Sequence, residues 1–311
     1  MENDMLSKIE MSTKYVSSIS KNVIINYKKL DEMILCLNTS NIRHWLDSNP
    51  FNILDMNYEE IIDFLLVYHT IGDFCFWGDP KWTIKTEYGD IDGSFAMMYI
   101  VIKKIKETKN FDLTFEEFSQ LLKANVEIPL LKQRYACLLA MNGFLKSKNK
   151  DFYYLIKDIT NDKNLFEYII ENLVYFKDEC LYNNEKVYFY KRAQLLTSDI
   201  LHIREKKEHI KVDYTHLLGC ADYKIPQVMR CYGILEFSEE LSQLVDNKIE
   251  LLENSPMEIE IRANTLAVID YIFKKTNKKI SRININDYIW LLGQDKIKMT
   301  KPYHRTLTIH Y

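Results

Sequence analysis

Apolar residues recur at helical spacing along most of the chain, and this pattern predicts a mainly α-helical fold. The clearest stripe joins Ile61, Ile62 and Leu65 in a segment over residues 58–69, and Asn57 is placed to cap its N-terminus. Two shorter amphipathic runs precede residue 37. The same spacing predicts further helices over residues 94–106, 114–124, 129–146, 165–176, 187–203, 256–275 and 287–292.

Alternating polarity marks two short stretches. Residues 82–86 alternate and are followed by turn-like residues 88–93, which predicts one small β element. The tail over 303–311, YHRTLTIHY, also alternates and is expected to be extended. With no internal repeat and no linker, the pattern predicts a single compact unit over residues 1–311.

An acidic residue, Asp222, lies on a turn just ahead of a short predicted helix. Pro226 suits the first turn of that helix, because the missing N–H would have no intrahelical partner there. Gly233 can end the helix in a left-handed conformation, and Ser238 is placed to cap the next helix. This arrangement makes the surroundings of Asp222 the central question about function.

Composition and charge narrow the class of protein. The chain has 311 residues, 47 % of them hydrophobic and 27 % charged, which is typical of a globular domain with a sizeable core. The net charge is −3, and no Lys/Arg-rich run supplies a surface for a nucleic-acid backbone. We therefore expect no nucleic-acid partner.

Targeting and ligand-binding signals are also missing from the sequence. Six scattered cysteines without a CxxC pair favour free thiols in a reducing cytoplasm. No signal peptide is visible and no segment has the length of a membrane span. Seven histidines show no metal-ligand spacing, and no Gly-rich phosphate loop, GxSxG or HExxH occurs. We expect a cytoplasmic protein without membrane contact, metal or cofactor, and the oligomeric state stays open.

Each candidate residue has an ordinary structural interpretation as well. Asp222 can simply cap a helix, and Lys191 can be a surface lysine whose stem covers apolar neighbours. Glu258 and Arg262 have the spacing of an ion pair on an exposed helix face. Phe76 can be a core aromatic. Residue types and spacing alone lead only to a helix-rich domain, with enzymatic activity as an open alternative.

Several blocks between residue 74 and the last residue carry a resemblance to a known family. They are FCFW at 74–77, IPLLKQR at 128–134, FYKRAQLLTSDI at 189–200, ADYKIPQVMRCYGILEFSEEL at 221–241, EIEIRA at 258–263 and PYHRTLTIHY at 302–311. In this order they resemble the queuosine salvage proteins, the queuosine 5′-phosphate N-glycosylases. The resemblance extends from about residue 15 to the last residue.

The resemblance implies an enzyme that hydrolyses the N-glycosidic bond of queuosine 5′-monophosphate. The products are queuine, a 7-deazaguanine base used in tRNA modification, and ribose 5-phosphate. The implied fold is similar to that of the helix-hairpin-helix DNA glycosylases, adapted to a small-molecule substrate.

The family's ADY block puts the catalytic role on Asp222, whose carboxylate would stabilise the oxocarbenium-like cation on the sugar. A 7-deaza base has carbon in place of N7, so help for the leaving base must come from its other edge or from protonation elsewhere. Phe76 and Trp77 are candidates for stacking on the base, and Tyr223 is a further substrate-binding candidate beside Asp222.

Charged residues of the other blocks are candidates for the phosphate and the queuine ammonium. Lys191 is the first candidate for the phosphate. Supporting candidates for it are Arg262, His304 and Arg305. Queuine carries a secondary ammonium, for which Asp199 or Glu260 can serve as the acidic partner.

The sequence departs from the family pattern at three places. Cys220 replaces a larger aromatic, Ser94 and Phe95 replace an aromatic pair, and Leu291 stands where relatives carry an acid. These changes bear on the base pocket and on the preference for nucleotide or nucleoside.

Two other functions stay open. The alternatives are a DNA-glycosylase-like enzyme for another modified base, and a queuine- or nucleotide-binding protein without catalysis. A DNA glycosylase would need a basic surface and a base-flipping wedge.

Overall fold

The computed structural model of the chain describes residues 4–37 and 42–311 and is mainly helical. The described part contains thirteen α-helices: α1 (Met5–Ile19), α2 (Tyr27–Leu35), α3 (Tyr58–Ile71), α4 (Gly93–Glu107), α5 (Phe115–Leu121), α6 (Leu131–Lys148), α7 (Phe152–Ile156), α8 (Asp162–Asn172), α9 (Lys191–Glu208), α10 (Lys224–Cys231), α11 (Glu239–Asp246), α12 (Pro256–Lys275) and α13 (Arg282–Leu292). Short 3-10 helices cover Trp45–Ser48, Ile53–Asp55 and Val174–Phe176. The predicted helical class is confirmed.

Six short strands form three antiparallel pairs in the described residues. The strands are β1 (Val23–Ile25), β2 (Thr83–Thr86), β3 (Gly89–Asp92), β4 (Glu179–Tyr182), β5 (Glu185–Tyr188) and β6 (Leu235–Phe237). β1 pairs with β6, β2 with β3, and β4 with β5. The β2–β3 hairpin is the predicted β element, whereas the other two pairs were not predicted.

Contacts divide the chain into two compact units. The first contains the described residues up to Ser48 together with Asp178–Ser198 and Asp213–Thr306. The second contains Asn49–Lys177, Asp199–Val212 and Leu307–Tyr311. Helix α9 therefore contributes its first eight residues, 191–198, to the first unit and the remainder to the second.

Helix α12 is the central element of the first unit. It packs against α1, α10 and α13, and its Ile259, Ile261 and Ala263 have no exposed surface. Each fully buried isoleucine side chain contributes about 1.5–3 kcal/mol relative to an exposed one. The polar residues between them, Glu258 and Arg262 among them, are buried as well, so the exposed helix face predicted for this pair is wrong.

Helix α3 is the centre of the second unit, where it packs against α4, α6 and α7. It begins at the predicted cap: the Asn57 side chain accepts from the Glu60 N–H, and the Glu60 carboxylate accepts from the Asn57 N–H in return. This reciprocal capping box satisfies two amide groups that the helix leaves without partners. Every residue of α3 from Phe64 to Ile71 is buried.

Arg134 on α6 fixes the aromatic loop that follows α3. Its guanidinium donates to the Ile71 carbonyl at 2.5 Å and to the Cys75 carbonyl at 2.7 Å, and its Nε donates to Pro129 at 2.8 Å. The guanidinium carbon also lies 4.6 and 4.8 Å from the ring centroids of Phe74 and Phe76. A buried arginine is thus provided with carbonyl and aromatic partners.

Boundaries near residue 190 differ from the prediction. The helix predicted over 187–203 begins only at Lys191, because residues up to Tyr188 form β5 and Tyr190 has a positive φ of 52°. The β4–β5 hairpin turns through Asn183 and Asn184, both with positive φ, as a two-residue type I′ turn requires.

The tail after residue 302 follows the predicted alternation in its burial. His304, Thr306 and Thr308 are buried, and Leu307 between them is exposed. Arg305 makes an isolated bridge with Glu250. Among the described residues, none of the helices combines the length and the hydrophobicity needed to cross a bilayer.

Replacing Arg134 with Lys is expected to lower the free energy of unfolding by about 3 kcal/mol. A lysine cannot keep the forked contacts to both carbonyls, and each hydrogen bond from a charged group contributes about 1.5–3 kcal/mol. Denaturant titration gives the value. Lys132→Ala, at an exposed position of the same helix, is the control and should change stability by less than about 0.5 kcal/mol. Equal stability of both variants would contradict the role given to Arg134.

Candidate active site

Asp222 lies at the end of an irregular segment, immediately before α10, and is 9 % exposed. Its Oδ1 accepts hydrogen bonds from the backbone N–H groups of Lys224 at 2.9 Å and Ile225 at 2.8 Å. Within the described part of the chain no hydrogen bond reaches Oδ2. Asp222 therefore satisfies the first two amides of α10 from the position just before the N-cap residue, Tyr223, and this capping uses only one of its two oxygens.

Opposing effects set the charge state of Asp222. Burial raises the pKa of its carboxyl group, while the positive charge of Lys191 and the amides of Ile225 and Lys224 lower it; the net shift is upward. Lys191 is the first residue of α9 and is 6 % exposed. The interpretation of Lys191 as a surface lysine is therefore wrong, and its charge acts on Asp222.

Arg262 on α12 is held within a buried group of charges. Its two terminal nitrogens donate to the two oxygens of Asp178, at 3.1 and 2.5 Å, and Nη1 lies 3.6 Å from Glu258. The guanidinium carbon is 3.8 Å from the centroid of the Phe189 ring. Burial, followed by the charge of Arg262, lowers the pKa of His304 to about 3. His304 is consequently a neutral imidazole at physiological pH.

Glu260 accepts hydrogen bonds at both of its carboxylate oxygens. Oε2 accepts from Ser20 Oγ at 2.8 Å and from the N–H groups of Lys21 at 3.0 Å and Asn22 at 2.5 Å. Oε1 accepts from the Asn22 side chain at 3.1 Å and the Tyr182 hydroxyl at 2.8 Å. These bonds tie the connection between α1 and β1 to α12, which is a structural function.

Two further predicted substrate contacts lie in the first unit. Tyr223 is half-buried, with its ring centroid 5.0 Å from that of Tyr303. Arg305 is half-buried, and its carbonyl accepts from the Leu251 N–H at 2.7 Å. Of the predicted site residues, the structure links Asp222 with Lys191 and Arg262 with His304 by electrostatic interaction.

Phe76, Trp77 and Asp199 belong to the second unit and are buried there. Phe76 stacks on Trp82 with the ring centroids 6.0 Å apart, and its ring also contacts the guanidinium group of Arg134. These contacts are those of a core aromatic.

Asp199 is one of two buried carboxylates that contact His69, an arrangement that the sequence did not predict. His69 Nε2 lies 2.8 Å from Asp199 Oδ2, and His69 Nδ1 lies 2.5 Å from Asp73 Oδ2. Burial alone would lower the pKa of His69, but Asp73 and Asp199 raise it to about 9. An imidazolium between two carboxylates results. The available signal was a histidine and an acid four residues apart, where the apolar stretch at the end of α3 passes into the following loop.

Cys220, one of the expected departures from the family pattern, lies directly against Lys191. Its thiol is buried and donates to the Lys191 carbonyl at 3.7 Å. Ser94 and Phe95 lie in the first turn of α4, and Leu291 is half-buried on α13. The small thiol allows the Asp222 segment to approach the start of α9 closely.

A buried carboxylate whose pKa is raised, with a buried lysine close by, has the features of a candidate functional site. Residues 52–311 match the family described as queuosine salvage protein. The chain belongs to this family. The match includes both Asp222 and Lys191.

Relatives from distant organisms resemble nearly the whole chain. A protein of Dictyostelium discoideum is 28 % identical over 98 % of this chain and 99 % of its own length. One from Sphaerobacter thermophilus is 28 % identical over 86 % of this chain and 84 % of its own length, and one from Nematostella vectensis is 25 % identical over the full length of both. All three are named queuosine 5′-phosphate N-glycosylase/hydrolase.

Asp222→Asn is expected to increase stability at neutral pH. Because the folded-state pKa of Asp222 is raised, its ionised form destabilises the folded protein above that pKa, and this penalty is absent below the unfolded pKa. The asparagine oxygen keeps the cap. The melting temperature of Asp222→Asn should exceed that of the wild type at pH 7, and the difference should shrink towards pH 4.

Asp222→Ala provides the contrast, since it loses the cap as well as the charge. The lost cap costs about 0.5–2 kcal/mol. This variant should therefore be less stable than Asp222→Asn at every pH. Identical melting curves for the Asn and Ala variants would contradict the capping role.

Proposed function

We propose that this protein hydrolyses the N-glycosidic bond of queuosine 5′-monophosphate and releases queuine and ribose 5-phosphate for salvage. Membership of the family and the names of relatives that align over nearly their whole length support this activity. The observation that carries it is the Asp222 carboxylate, buried beside Lys191 with Oδ1 bound to the start of α10 and Oδ2 outside the cap.

The proposed chemistry uses the ionised form of Asp222. As the bond to the base breaks, positive charge grows on the anomeric carbon, and a carboxylate in a buried site stabilises it more strongly than one in water. The oxygen of a water molecule adds to that carbon. The base leaves with the electron pair of the broken bond and takes up one proton from that water molecule. Hydrolysis of this kind needs no cofactor.

Lys191 is the proposed phosphate ligand, because it is a buried cation near the carboxylate that meets the sugar. Arg262, His304 and Arg305 stay supporting candidates. Of these, Arg262 already forms two hydrogen bonds with Asp178, and His304 is uncharged.

The remaining substrate contacts are also proposals. Phe76, Trp77 and Tyr223 are proposed to contact the base, and the half-buried Tyr223 follows Asp222 directly in the chain. Asp199 and Glu260 stay the proposed acidic partners for the queuine ammonium. Glu260 accepts five hydrogen bonds from the protein, and Asp199 is paired with His69. The paired His69 would tune the charge of Asp199.

We further propose a fold related to the helix-hairpin-helix DNA glycosylases, with residues 1–311 acting as one enzyme unit in the cytoplasm. The six free cysteines agree with a reducing compartment. The net charge of −3 favours a mononucleotide over a nucleic-acid duplex. Steep salt-dependent binding of duplex DNA would instead favour the alternative of a DNA-glycosylase-like enzyme.

Incubating the purified protein with queuosine 5′-monophosphate should release free queuine, measured by liquid chromatography. Asp222→Asn should bind the substrate but lower kcat by about 10²- to 10³-fold, the loss expected for one electrostatic group in the transition state. Tight binding with no queuine release by the wild type would instead indicate a binding protein. Near-wild-type turnover of the variant would remove Asp222 from the chemistry.

Lys191→Ala separates two roles for the lysine. If Lys191 binds phosphate, kcat/KM should fall much more for the 5′-phosphate than for unphosphorylated queuosine. If it serves only to keep Asp222 ionised, both substrates should lose kcat equally, and the acid limb of the pH profile should move to higher pH, because the lysine charge lowers the pKa of Asp222. Equal loss on both substrates would refute phosphate binding.

A further inference from the structure

The segment that carries Asp222 has no regular secondary structure of its own. Residues 217–222 form neither helix nor strand, yet most of them are buried. Their backbone amides must therefore find partners outside the usual ladders. Those partners determine where the Asp222 carboxylate is held.

Two buried side-chain amides supply the partners. Gln194 Oε1 on α9 accepts from the Leu218 N–H at 2.7 Å, and Asn286 Oδ1 on α13 accepts from the Cys220 N–H at 2.8 Å. Neither amide is more than 3 % exposed. The segment is thus fixed at two alternate residues, and the second anchor lies only two residues before Asp222.

Each anchoring amide is itself oriented by a second hydrogen bond. The amide nitrogen of Asn286 donates to Asp287 Oδ1 at 3.2 Å, and that of Gln194 donates to the Phe189 carbonyl at 3.0 Å. Gln194 also lies one turn after Lys191 on α9. The Gln194 anchor therefore links the segment that carries Asp222 to α9, the helix that begins with Lys191.

Gly219, between the two anchors, shows how closely the segment approaches the helices. Its φ is +110°, a conformation that side chains other than glycine rarely adopt. A Cβ atom placed there would lie 2.9 Å from Ile269 Cδ1 on α12. At Gly219 the segment therefore runs close against α12, while the hydrogen bonds at Leu218 and Cys220 hold it to α9 and α13.

We infer that Asn286 is a positioning residue for the proposed reaction: it holds the Cys220 amide and thereby places the Asp222 carboxylate, with Gln194 as the second anchor. The inference rests on the proposed function of Asp222. A carboxylate that stabilises a cation must lie close to it in a fixed orientation, and a misplacement of about 1 Å can cost about 100-fold in rate.

Asn286→Ala is the first test. It should lower kcat about 10- to 100-fold with little change in KM, since it displaces the carboxylate and removes no substrate contact. Asn264→Ala is the matched control: Asn264 is an equally buried amide of the same unit and bonds Ser17, Ser20 and the Glu260 carbonyl. It should lose stability but keep the wild-type kcat per folded molecule.

A double mutant distinguishes positioning from general loss of structure. If Asn286 acts through Asp222, Asn286→Ala should cause almost no further loss in the Asp222→Asn background, measured in single turnovers with enzyme in excess. A purely structural role predicts the same fold-loss in both backgrounds. That result, or a wild-type kcat for Asn286→Ala, would overturn the inference.

The pH profile gives a readout that a structural role would not move. Freeing the segment exposes Asp222 to water and relieves the burial that raises its pKa, while Lys191 and Lys224 still lower it. The acid limb of kcat should therefore move to lower pH in Asn286→Ala and stay unchanged in Asn264→Ala. An unmoved limb in Asn286→Ala would contradict positioning.

Gln194→Met keeps the inference testable if Asn286→Ala does not fold. Methionine fills a similar volume without accepting from the Leu218 N–H, and the variant should show the same fall in kcat and the same non-additivity with Asp222→Asn. Wild-type turnover of this variant would overturn the two-anchor arrangement. If Asp222→Asn itself retained turnover, the proposed function of Asp222 would fail, and the anchors would be structural.

Discussion

The hydrogen bonds between Asp222 Oδ1 and the first amides of α10 are the interaction on which the proposed site depends. They place a carboxylate at a helix start, where the amide groups and the helix dipole favour negative charge. Together with the charge of Lys191 they offset part of the burial that favours the protonated acid. The same interaction thus supports the helix and keeps the ionised form accessible.

The first unit buries several charged groups on α12, and two of them hold segments that lie outside the helices. Glu260 fixes the connection from α1 to β1, and Arg262 binds Asp178 immediately before β4. Buried charges are expensive unless paired. Here they specify the positions of the connections that lead to the proposed site, which apolar packing alone would leave loosely determined.

Much of the helical fold followed from the sequence, because apolar spacing and caps are local signals. Asn57, Ser238 and Gly233 mark helix ends in the structure as predicted. The β4–β5 hairpin was missed although Asn183 and Asn184 suit a type I′ turn, because the aromatic residues after it were assigned to the following helix. The β1–β6 pairing joins residues more than 200 positions apart, and no local signal predicts it.

The candidate site was predictable only in part, because the burial and the tertiary contacts of its residues are not local signals. Family resemblance identified Asp222 and Lys191, but charged residues such as Lys191 and Arg262 are usually exposed, so their burial was not expected. The partners of the Asp222 segment, Gln194 and Asn286, are ordinary amides on distant helices. Their role arises from tertiary contacts with backbone N–H groups, and backbone groups carry no sequence signal.

Comparison of the buried acids shows why Asp222 differs from its neighbours in the first unit. Glu260 receives five hydrogen bonds over both oxygens, and Asp178 receives both terminal nitrogens of one arginine. Asp222 receives two, both on Oδ1. Its Oδ2 accepts no hydrogen bond from the described residues, and Asp222 keeps 9 % of its surface exposed. In the proposed reaction, the cation that grows on the sugar as the bond to the base breaks is the partner of this oxygen.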